Sequence, residues 1–267
     1  MNINSAYVNA YDISDIQSSS LERLSSSQAI NKVADNPASL LIADQLDVQK
    51  STLTQSLENV SSGIAMSNIA QDGISAQKYI LENIKVETLK MMNGTTNQDQ
   101  KDIIADQISQ YVDEYEQIAN STNYSGETLL KTAGDTTDDI SIVGDDTIVS
   151  ISKADTASIS DTLKSFLVDI SSNSESMQSV LSTVDQGLDK LATFASEYGS
   201  SSNALESMAR SYIEAEKNTS TAKSTIMDID YSKEVTNFSK TNLLTQIGYL
   251  MQTQANAQQQ KNIALLS

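Results

Sequence analysis

Two short motifs in this sequence have the spacing of a serine nucleophile that a lysine activates. They read SAQK at residues 75–78 and STAK at residues 220–223. Such a pair acts only when the lysine is desolvated in a pocket that also provides an oxyanion hole. Both motifs lie within long helical patterns, and a pattern of such common residues has a high false-positive rate. We therefore interpret both as coincidence and expect no catalytic residues.

Acidic residues in the middle of the chain form a candidate cation site, because Ca²⁺ prefers carboxylate oxygens. The group consists of Asp135, Asp138, Asp139, Asp145 and Asp146. No EF-hand ligand loop surrounds them, and a glycine beside two aspartates is typical of an exposed hairpin turn. We expect solvated turn residues there and no metal site.

The composition removes most of the other groups that enzymes use. The chain contains no histidine and no cysteine, so the commonest general base, the commonest transition-metal ligand and every thiolate site are absent. The Asn-x-Ser/Thr sequences at residues 93–95 and 120–122 would accept glycans only in a secretory context, so they receive no weight. The sequence predicts a protein that is not an enzyme and needs no cofactor.

The net charge and the hydropathy of the chain argue against some classes of binding partner. Acidic residues outnumber basic ones by 35 to 17, which leaves a formal net charge of −18. Such a surface repels phosphate backbones and anionic lipids, so we expect neither nucleic-acid nor membrane-surface binding. The first residues, MNINSAY, do not have the pattern of a signal peptide, and no apolar run reaches the roughly 18 residues of a membrane span. We expect a cytosolic chain or export by a route that needs no cleaved signal.

The longest regular pattern in the chain covers residues 163–212, where apolar residues recur in alternating steps of four and three. Only two slots of this series, Ser174 and Ser202, are polar. This is the pattern of a coiled coil, and it predicts one continuous helix whose apolar stripe other long helices cover. The core residues expected at its centre are Leu181, Val184, Leu188 and Leu191.

Two further stripes can cover that helix. One runs from residue 37 to about residue 92 with several polar interruptions, and the other covers residues 104–118. Asn36 before Pro37 predicts the start of the first helix, and a short connection makes the two helices antiparallel. The core residues expected on them are Leu46, Leu53, Val60, Ile74, Leu81, Ile104 and Ile108.

The pattern changes in the middle of the chain. Ile140 and Ile142 alternate with serine, Gly144 begins a turn, and residues 148–151 resume the alternation, so a β-hairpin is predicted at about residues 138–152. The single proline and the absence of tryptophan suit long helices. The predicted fold is therefore mainly α, a long antiparallel coiled-coil or helical-bundle rod with a small β-hairpin.

Each end of the chain carries a weaker helix. Residues 3 to about 34 have loosely helical spacing with serine runs that lower helix propensity, and residues 235–251 lead into a glutamine-rich segment with an apolar end. Helices of this kind are marginal alone in water, and an exposed apolar end needs a docking partner. The two ends therefore indicate assembly.

Segments along most of the chain resemble the bacterial flagellin family. The matching segments are, in order, LERLSS (21–26), IN (30–31), ADNPA (34–38), NYSGETLL (123–130), STIMDIDYSKEV (224–235) and QAN (254–256). Only about residues 131–174 lack a counterpart. The sequence SQA at residues 27–29 replaces the family's Gly-Leu-Arg, and Ser39 replaces a glycine, so the turn geometry there is not carried over.

The resemblance implies two domains and a function. The terminal helices would pair in a domain of residues 1–45 and 228–267, and residues 46–227 would form a helical rod domain that contains the hairpin, without the outer domains of longer flagellins. The implied function is that of a structural subunit that polymerises into the flagellar filament for motility and is secreted by the flagellar type III route. The implied partners are further copies of the chain, an export chaperone, the filament cap and junction proteins.

We expect the terminal helices to make the contacts between subunits, because they have too few strongly apolar residues to be held within one chain. The expected contact residues are Ile3, Tyr7, Leu21, Arg23, Leu24, Ile30, Val235, Phe238, Leu244, Ile247, Met251, Leu265 and Leu266. Residues 81–89 occupy the place that an innate receptor reads in many flagellins. Asn83 stands where the usual pattern has Arg, and Val86 and Glu87 stand where it has Glu-Leu, so we expect weak receptor activation.

Two alternatives stay open at this point. A hook–filament junction protein of the same family shares the terminal helices, although the hairpin and residues 224–235 favour a filament subunit. A signalling coiled coil, such as a chemoreceptor cytoplasmic hairpin, fits the apolar stripes. It does not fit the lack of a membrane span or the apolar C-terminus.

Overall fold

The computed structural model describes residues 3–131 and 139–266, and this part of the chain is mainly helical. The helices are α1 (Ile3–Ser26), α2 (Pro37–Met91), α3 (Gln98–Ser121), α4 (Ala157–Leu167), α5 (Ser174–Met227) and α6 (Tyr231–Leu266). The strands are β1 (Asn123–Tyr124), β2 (Glu127–Thr128), β3 (Leu130–Lys131), β4 (Asp139–Val143), β5 (Ile148–Ser152) and β6 (Ala154–Asp155). The mainly α fold predicted from the sequence is confirmed. None of these helices, over the residues described, is long and apolar enough to span a membrane.

Side-chain caps begin α2, whose start the sequence predicts, and α3. Asn36 Oδ1 accepts a hydrogen bond from the Ser39 amide at 3.1 Å, immediately before α2. Asn97 Oδ1 accepts the Gln100 amide at 2.9 Å, and Gln100 Oε1 accepts the Asn97 amide at 3.2 Å. The second arrangement is a capping box, which satisfies two amides that the first turn of α3 leaves without helical partners.

The chain divides into two compact units. The first unit comprises Met1–Ser51 and Glu216–Ser267, and the second unit comprises Thr52–Ala215. The small core of the first unit contains Ile30, Ala43 and Met227. Because both unit boundaries fall within helices, α2 and α5 each contribute residues to both units.

The second unit has the larger apolar core, which α2, α3, α4 and α5 and the small strands share. Among the core residues expected from the sequence, those at most 9% exposed are Leu53, Val60, Ile74, Leu81, Ile108, Leu181, Val184 and Leu191. The other three, Leu46, Ile104 and Leu188, are half-buried. Close helix approach adds to this packing, since a Cβ on Gly73 would lie 2.5 Å from Thr122 Oγ1.

Two small strand pairs close the connection after α3. β1 and β2 form an antiparallel hairpin whose turn residues, Ser125 and Gly126, have φ of 54° and 89°. Positive φ at both positions is the type I′ geometry that matches strand twist. β3 and β6 pair in parallel, and the buried Tyr198 hydroxyl donates to the Leu129 carbonyl at 3.0 Å beside them. Burial raises the pKa of Tyr198 to about 12.

The hairpin predicted at about residues 138–152 is present as β4 and β5, which pair antiparallel over five residues each. Its turn is fixed by the Tyr212 hydroxyl, which accepts the Asp145 amide at 3.1 Å. Asn59 Nδ2 also donates to the Val143 carbonyl at 2.9 Å. A Cβ on Gly144 would collide with the Tyr212 hydroxyl, so the hairpin can dock in this way only with glycine there.

The prediction of one continuous helix over residues 163–212 is wrong. α4 ends at Leu167, and α5 begins at Ser174 and continues to Met227, well past the predicted end. The apolar spacing concealed the break because Ile170, in the connection, is still buried at 1% exposure.

Polar side chains at residues 169–176 explain why the helix breaks there. The Asp169 carboxylate accepts hydrogen bonds from the Ser176 hydroxyl at 2.7 Å and from Asn173 Nδ2 at 3.2 Å. These two bonds hold the pKa of Asp169 below its usual value. Asn173 in turn accepts the Glu175 amide at 2.9 Å at the start of α5. Short polar side chains that bond to nearby backbone in this way compete with helix interiors.

Candidate assembly surface

In the first unit, α1 and α6 pack together, and polar side chains are buried on both helices. Ser20 on α1 and Thr241 on α6 are buried at 6% and 7% exposure. The Thr245 hydroxyl lies within 3.4 Å of Gln17 Oε1 across the pair. We call this contact the polar seam, since the buried side chains described on the two helices, at residues 15–26 of α1 and 231–258 of α6, are polar. Burial of apolar area supplies most of the free energy of helix packing, so these buried residues add little to it.

A different side of α6 carries a stripe of exposed apolar side chains. The stripe consists of Leu243, Leu244, Ile247, Leu250 and Met251, each between 45% and 69% exposed. Their spacing places them within an arc of about 120° of the helix surface at 100° per residue. In a globular protein such an arc faces the core. Exposed in this way, the α6 stripe is a candidate interaction surface.

Backbone hydrogen bonds join the segment that follows α1 to the chain at the C-terminal end of α5. The Ala29 amide donates to the Met227 carbonyl at 2.5 Å, and the Ile229 amide donates to the Ser27 carbonyl at 3.4 Å. Ser27 has a φ of 58°, which turns the chain out of α1 at residue 26. The first helix therefore ends before residue 34, where the sequence predicted its end.

A carboxylate organises the connection between α1 and α2. Asp35 Oδ2 accepts the amides of Asn31 and Lys32, both at 3.0 Å. These two bonds are the main reason why the pKa of Asp35 lies below its usual value. Arg23 Nη2 lies 3.9 Å from Asp35 Oδ1. Lys32 Nζ also forms an ion pair with Glu22 at 2.5 Å, which raises the pKa of Lys32.

The expected contact residues of the terminal helices have different environments. Leu21, Val235, Leu244, Ile247 and Met251 are exposed. Arg23, Leu24 and Phe238 are half-buried. Ile30 is buried against Ala43 and Met227 within the first unit. The side chains of Ile3, Tyr7, Leu265 and Leu266 lie outside the described residues.

The contact residues expected from the sequence did not include two members of the stripe. Leu243 and Leu250 are 59% and 69% exposed, and they lie four residues before and three residues after Ile247. That helical spacing was the available signal. The exposed side of the helix could not be predicted, because it depends on which side packs against α1.

The candidate chemical motifs lie on helix and hairpin surfaces. Ser75 and Lys78 are exposed, and Lys223 Nζ forms an ion pair with Asp47 at 2.6 Å. Of the acidic group, the exposed residues are Asp139, Asp145 and Asp146, whereas Asp135 and Asp138 lie outside the described residues. Within the described ranges no group of acidic side chains could hold a metal ion.

The expected receptor residues lie on α2 in the second unit. Val86 is 50% exposed, and Asn83 is half-buried. Glu87 forms an ion pair with Lys90 at 2.7 Å and its side chain is only 13% exposed. Of the three, Val86 offers the most surface to a partner.

Comparison with known families accounts for both ends of the chain. The bacterial flagellin N-terminal helical region matches residues 1–135, and the bacterial flagellin C-terminal helical region matches residues 181–266. The chain belongs to the bacterial flagellin family. Flagellins are structural proteins, and this flagellin is a structural subunit of the flagellar filament.

Relatives along almost the whole chain agree with this assignment. Flagellin from Halalkalibacterium halodurans is 28% identical over 251 residues, which cover 92% of this chain and 90% of that protein. Flagellin from Bacillus subtilis is 26% identical over 278 residues, covering 92% and 91%. The flagellar filament 30.7 kDa core protein of Treponema maltophilum is 25% identical over 262 residues, also covering 92% and 91%.

Solved structures show the same fold. The crystal structure of Bacillus cereus flagellin matches with a TM-score of 0.52 and 21% identity, over 58% of this chain and 88% of that one. A structure described as that of a flagellar hook-associated protein from Vibrio parahaemolyticus matches with a TM-score of 0.65 and 12% identity, over 73% and 100%. At such identities the likeness concerns the fold alone, so it does not favour the junction-protein alternative.

Proposed function

We propose that this flagellin builds the filament by placing its α6 stripe against neighbouring copies of the chain. The observation that carries the proposal is the exposure of the five apolar side chains of the stripe, at 45% to 69%, on a helix whose buried residues, over the side chains described, are polar. Contacts between different surfaces of identical subunits produce open helical polymers when they do not close into a ring.

The polar seam supports the same proposal. Helices that are weakly held in the free subunit gain order when their apolar sides are covered, so assembly and terminal ordering become coupled. In this proposal the terminal domain, residues 1–45 with 228–267, is the assembling part. The rod domain, residues 46–227, has its own large core, and it folds without neighbouring subunits.

Removal of residues 228–267 tests the coarse form of the proposal. The shortened chain should remain soluble and helical, because the core of the second unit contains no residue from that segment. It should form no filaments when inspected by electron microscopy under conditions in which the full chain polymerises. Filaments of the shortened chain would overturn the proposal.

Substitution within α6 tests the stripe itself. The double variant Ile247→Gln, Leu250→Gln removes apolar surface and keeps good helix formers, so it should not polymerise. Tyr249→Gln is the matched control, because Tyr249 is 65% exposed on the same helix outside the stripe. Sedimentation of polymer should separate the two variants. If both polymerise, or neither does, the stripe is not the specific contact.

The remaining expectations about partners follow from the family. We propose that an export chaperone, the filament cap and junction proteins bind this flagellin, and that the flagellar type III route secretes it. The exposed stripe supports a chaperone, because uncovered apolar surface favours aggregation before assembly. Co-purification of each partner from the producing cell tests these proposals, and a chain that binds none of them would contradict them.

We also propose weak activation of the innate flagellin receptor. Asn83 provides no cation where the family pattern has Arg, and Glu87 is held by Lys90. A cell reporter assay should show low potency for this chain and a higher potency for Asn83→Arg. Potency equal to that of a typical enteric flagellin would contradict the proposal.

A further inference from the structure

The turn between α2 and α3 holds the only Asn-Gly sequence in the chain, Asn93 and Gly94. Both residues are exposed, and they lie outside the α6 stripe and the helix cores. We propose that Asn93 is a site of spontaneous deamidation, at which the side-chain amide becomes a carboxylate without an enzyme. This inference does not depend on the proposed assembly surface.

Gly94 provides an accessible nucleophile. Its amide makes no hydrogen bond to the described residues, whereas amides within helices are paired with carbonyls four residues earlier. The place where a Cβ of residue 94 would be is open as well, since no atom beyond Gly94 and its two chain neighbours lies within 4 Å of it. The Gly94 nitrogen can therefore approach the Asn93 side chain without losing a hydrogen bond.

The Asn93 side chain is held in a way that favours attack at its carbonyl carbon. Asn93 Oδ1 accepts two hydrogen bonds from Thr95, from the backbone amide at 3.2 Å and from the hydroxyl at 3.1 Å. Negative charge develops on this oxygen when a nucleophile adds to Cγ. Donors aimed at such an oxygen stabilise the tetrahedral intermediate, as in an oxyanion hole.

The reaction balances with water as the only co-reactant. The Gly94 nitrogen forms a bond to Asn93 Cγ, the bond from Cγ to Nδ2 breaks, and ammonia leaves with the proton of the Gly94 amide. Water then opens the cyclic imide. Cleavage between the nitrogen and Cγ gives aspartate, and cleavage between the nitrogen and the main-chain carbonyl carbon gives isoaspartate. Either product adds one carboxylate to an already acidic chain.

The two products should affect the turn differently. A carboxylate at residue 93 can still accept both bonds from Thr95, although its charge beside the C-terminus of α2 is unfavourable. Isoaspartate lengthens the backbone by one carbon. It should disrupt the bond from the Thr96 amide to the Asn93 carbonyl, now 3.0 Å, and loosen the bond from the Thr96 hydroxyl to the Lys90 carbonyl, now 2.9 Å.

Incubation of the full chain in neutral buffer, followed by proteolysis and fragmentation mass spectrometry, tests the proposal. Aspartate and isoaspartate should accumulate at Asn93 ahead of every other asparagine. Gly94→Ala is the matched variant. It should fold normally, because the Cβ enters open space and Gly94 does not have positive φ, and it should lose the conversion over the same period.

Two results would overturn the proposal. One is an unchanged rate in Gly94→Ala, which would show that the glycine does not control the reaction. The other is a native rate far below that of the same chain unfolded in urea, which would show that the folded turn protects Asn93. Thermal unfolding of the Gly94→Ala variant, followed by circular dichroism, verifies that the comparison uses folded protein.

Discussion

Ser27 ends α1 in a conformation that glycine adopts more easily, with a φ of 58°. The left-handed region costs a non-glycine residue about 1 kcal/mol, and glycine in turn loses about 0.5 kcal/mol more conformational entropy on folding. Ser27→Gly should therefore stabilise the first unit by about 0.5 kcal/mol. Urea unfolding followed by circular dichroism measures the change.

Ser27→Val provides the opposite test at the same position. A β-branched residue is strained at positive φ, so this variant should lose at least about 1 kcal/mol. If glycine destabilises and valine does not, the backbone conformation assigned to residue 27 is contradicted.

We predict that the Asp35 carboxylate makes the stability of the first unit depend on pH in acid. Its folded-state pKa is lowered by the amides of Asn31 and Lys32, so its contribution to stability is complete above the unfolded value of about 3.9. That contribution is lost as the pH falls through the folded value. Asp35→Asn has no carboxyl group at this position, so its free energy of unfolding should fall less steeply as the pH decreases. Asp44→Asn, at an exposed position of α2 in the same unit, is the control.

Unfolding curves at a series of pH values, from neutral to below the unfolded pKa, provide the measurement. Wild type and Asp44→Asn should become less stable in acid along similar curves, and Asp35→Asn should diverge from both. Parallel curves for all three proteins would show that Asp35 does not anchor the connection between α1 and α2.

At the scale of elements, the hairpin of β4 and β5 depends on one hydroxyl for the position of its turn. Tyr212→Phe removes the acceptor of the Asp145 amide and should cost about 1 kcal/mol. Hydrogen exchange of the hairpin amides should accelerate, while exchange in α3 should not change. Tyr79→Phe, at a position 64% exposed on α2, should change neither. Equal exchange rates of the hairpin amides in both variants would show that the Tyr212 hydroxyl does not hold the turn.

Local spacing predicted some elements and not others. The start of α2 was readable because Asn36 stands before the single proline and caps the helix that follows it. The break before α5 was not, because Ile170 preserves the apolar spacing although the backbone there leaves the helix. The parallel pairing of β3 with β6 joins Leu130 to Ala154, and strands of two residues carry no periodic signal.

At the scale of the whole molecule, the sequence indicated assembly through the chain ends but not the surface responsible. The apolar residues of α6 were visible, yet their exposure follows from tertiary packing, in which polar residues such as Thr241 and Thr245 face α1. A buried polar seam and an exposed apolar stripe reverse the usual arrangement of a surface helix. This reversal is reasonable for a subunit whose stable form is the polymer.

Oxidation of Met251 by dilute peroxide is the most direct test of the α6 stripe. Met251 is 67% exposed in the subunit, whereas Met91 is fully buried and serves as an internal reference. Soluble subunits should oxidise readily at Met251, and assembled filaments should lose most of that reactivity, with Met91 protected in both. Equal oxidation of Met251 in subunits and filaments would contradict the account, because the stripe would then be open in the polymer.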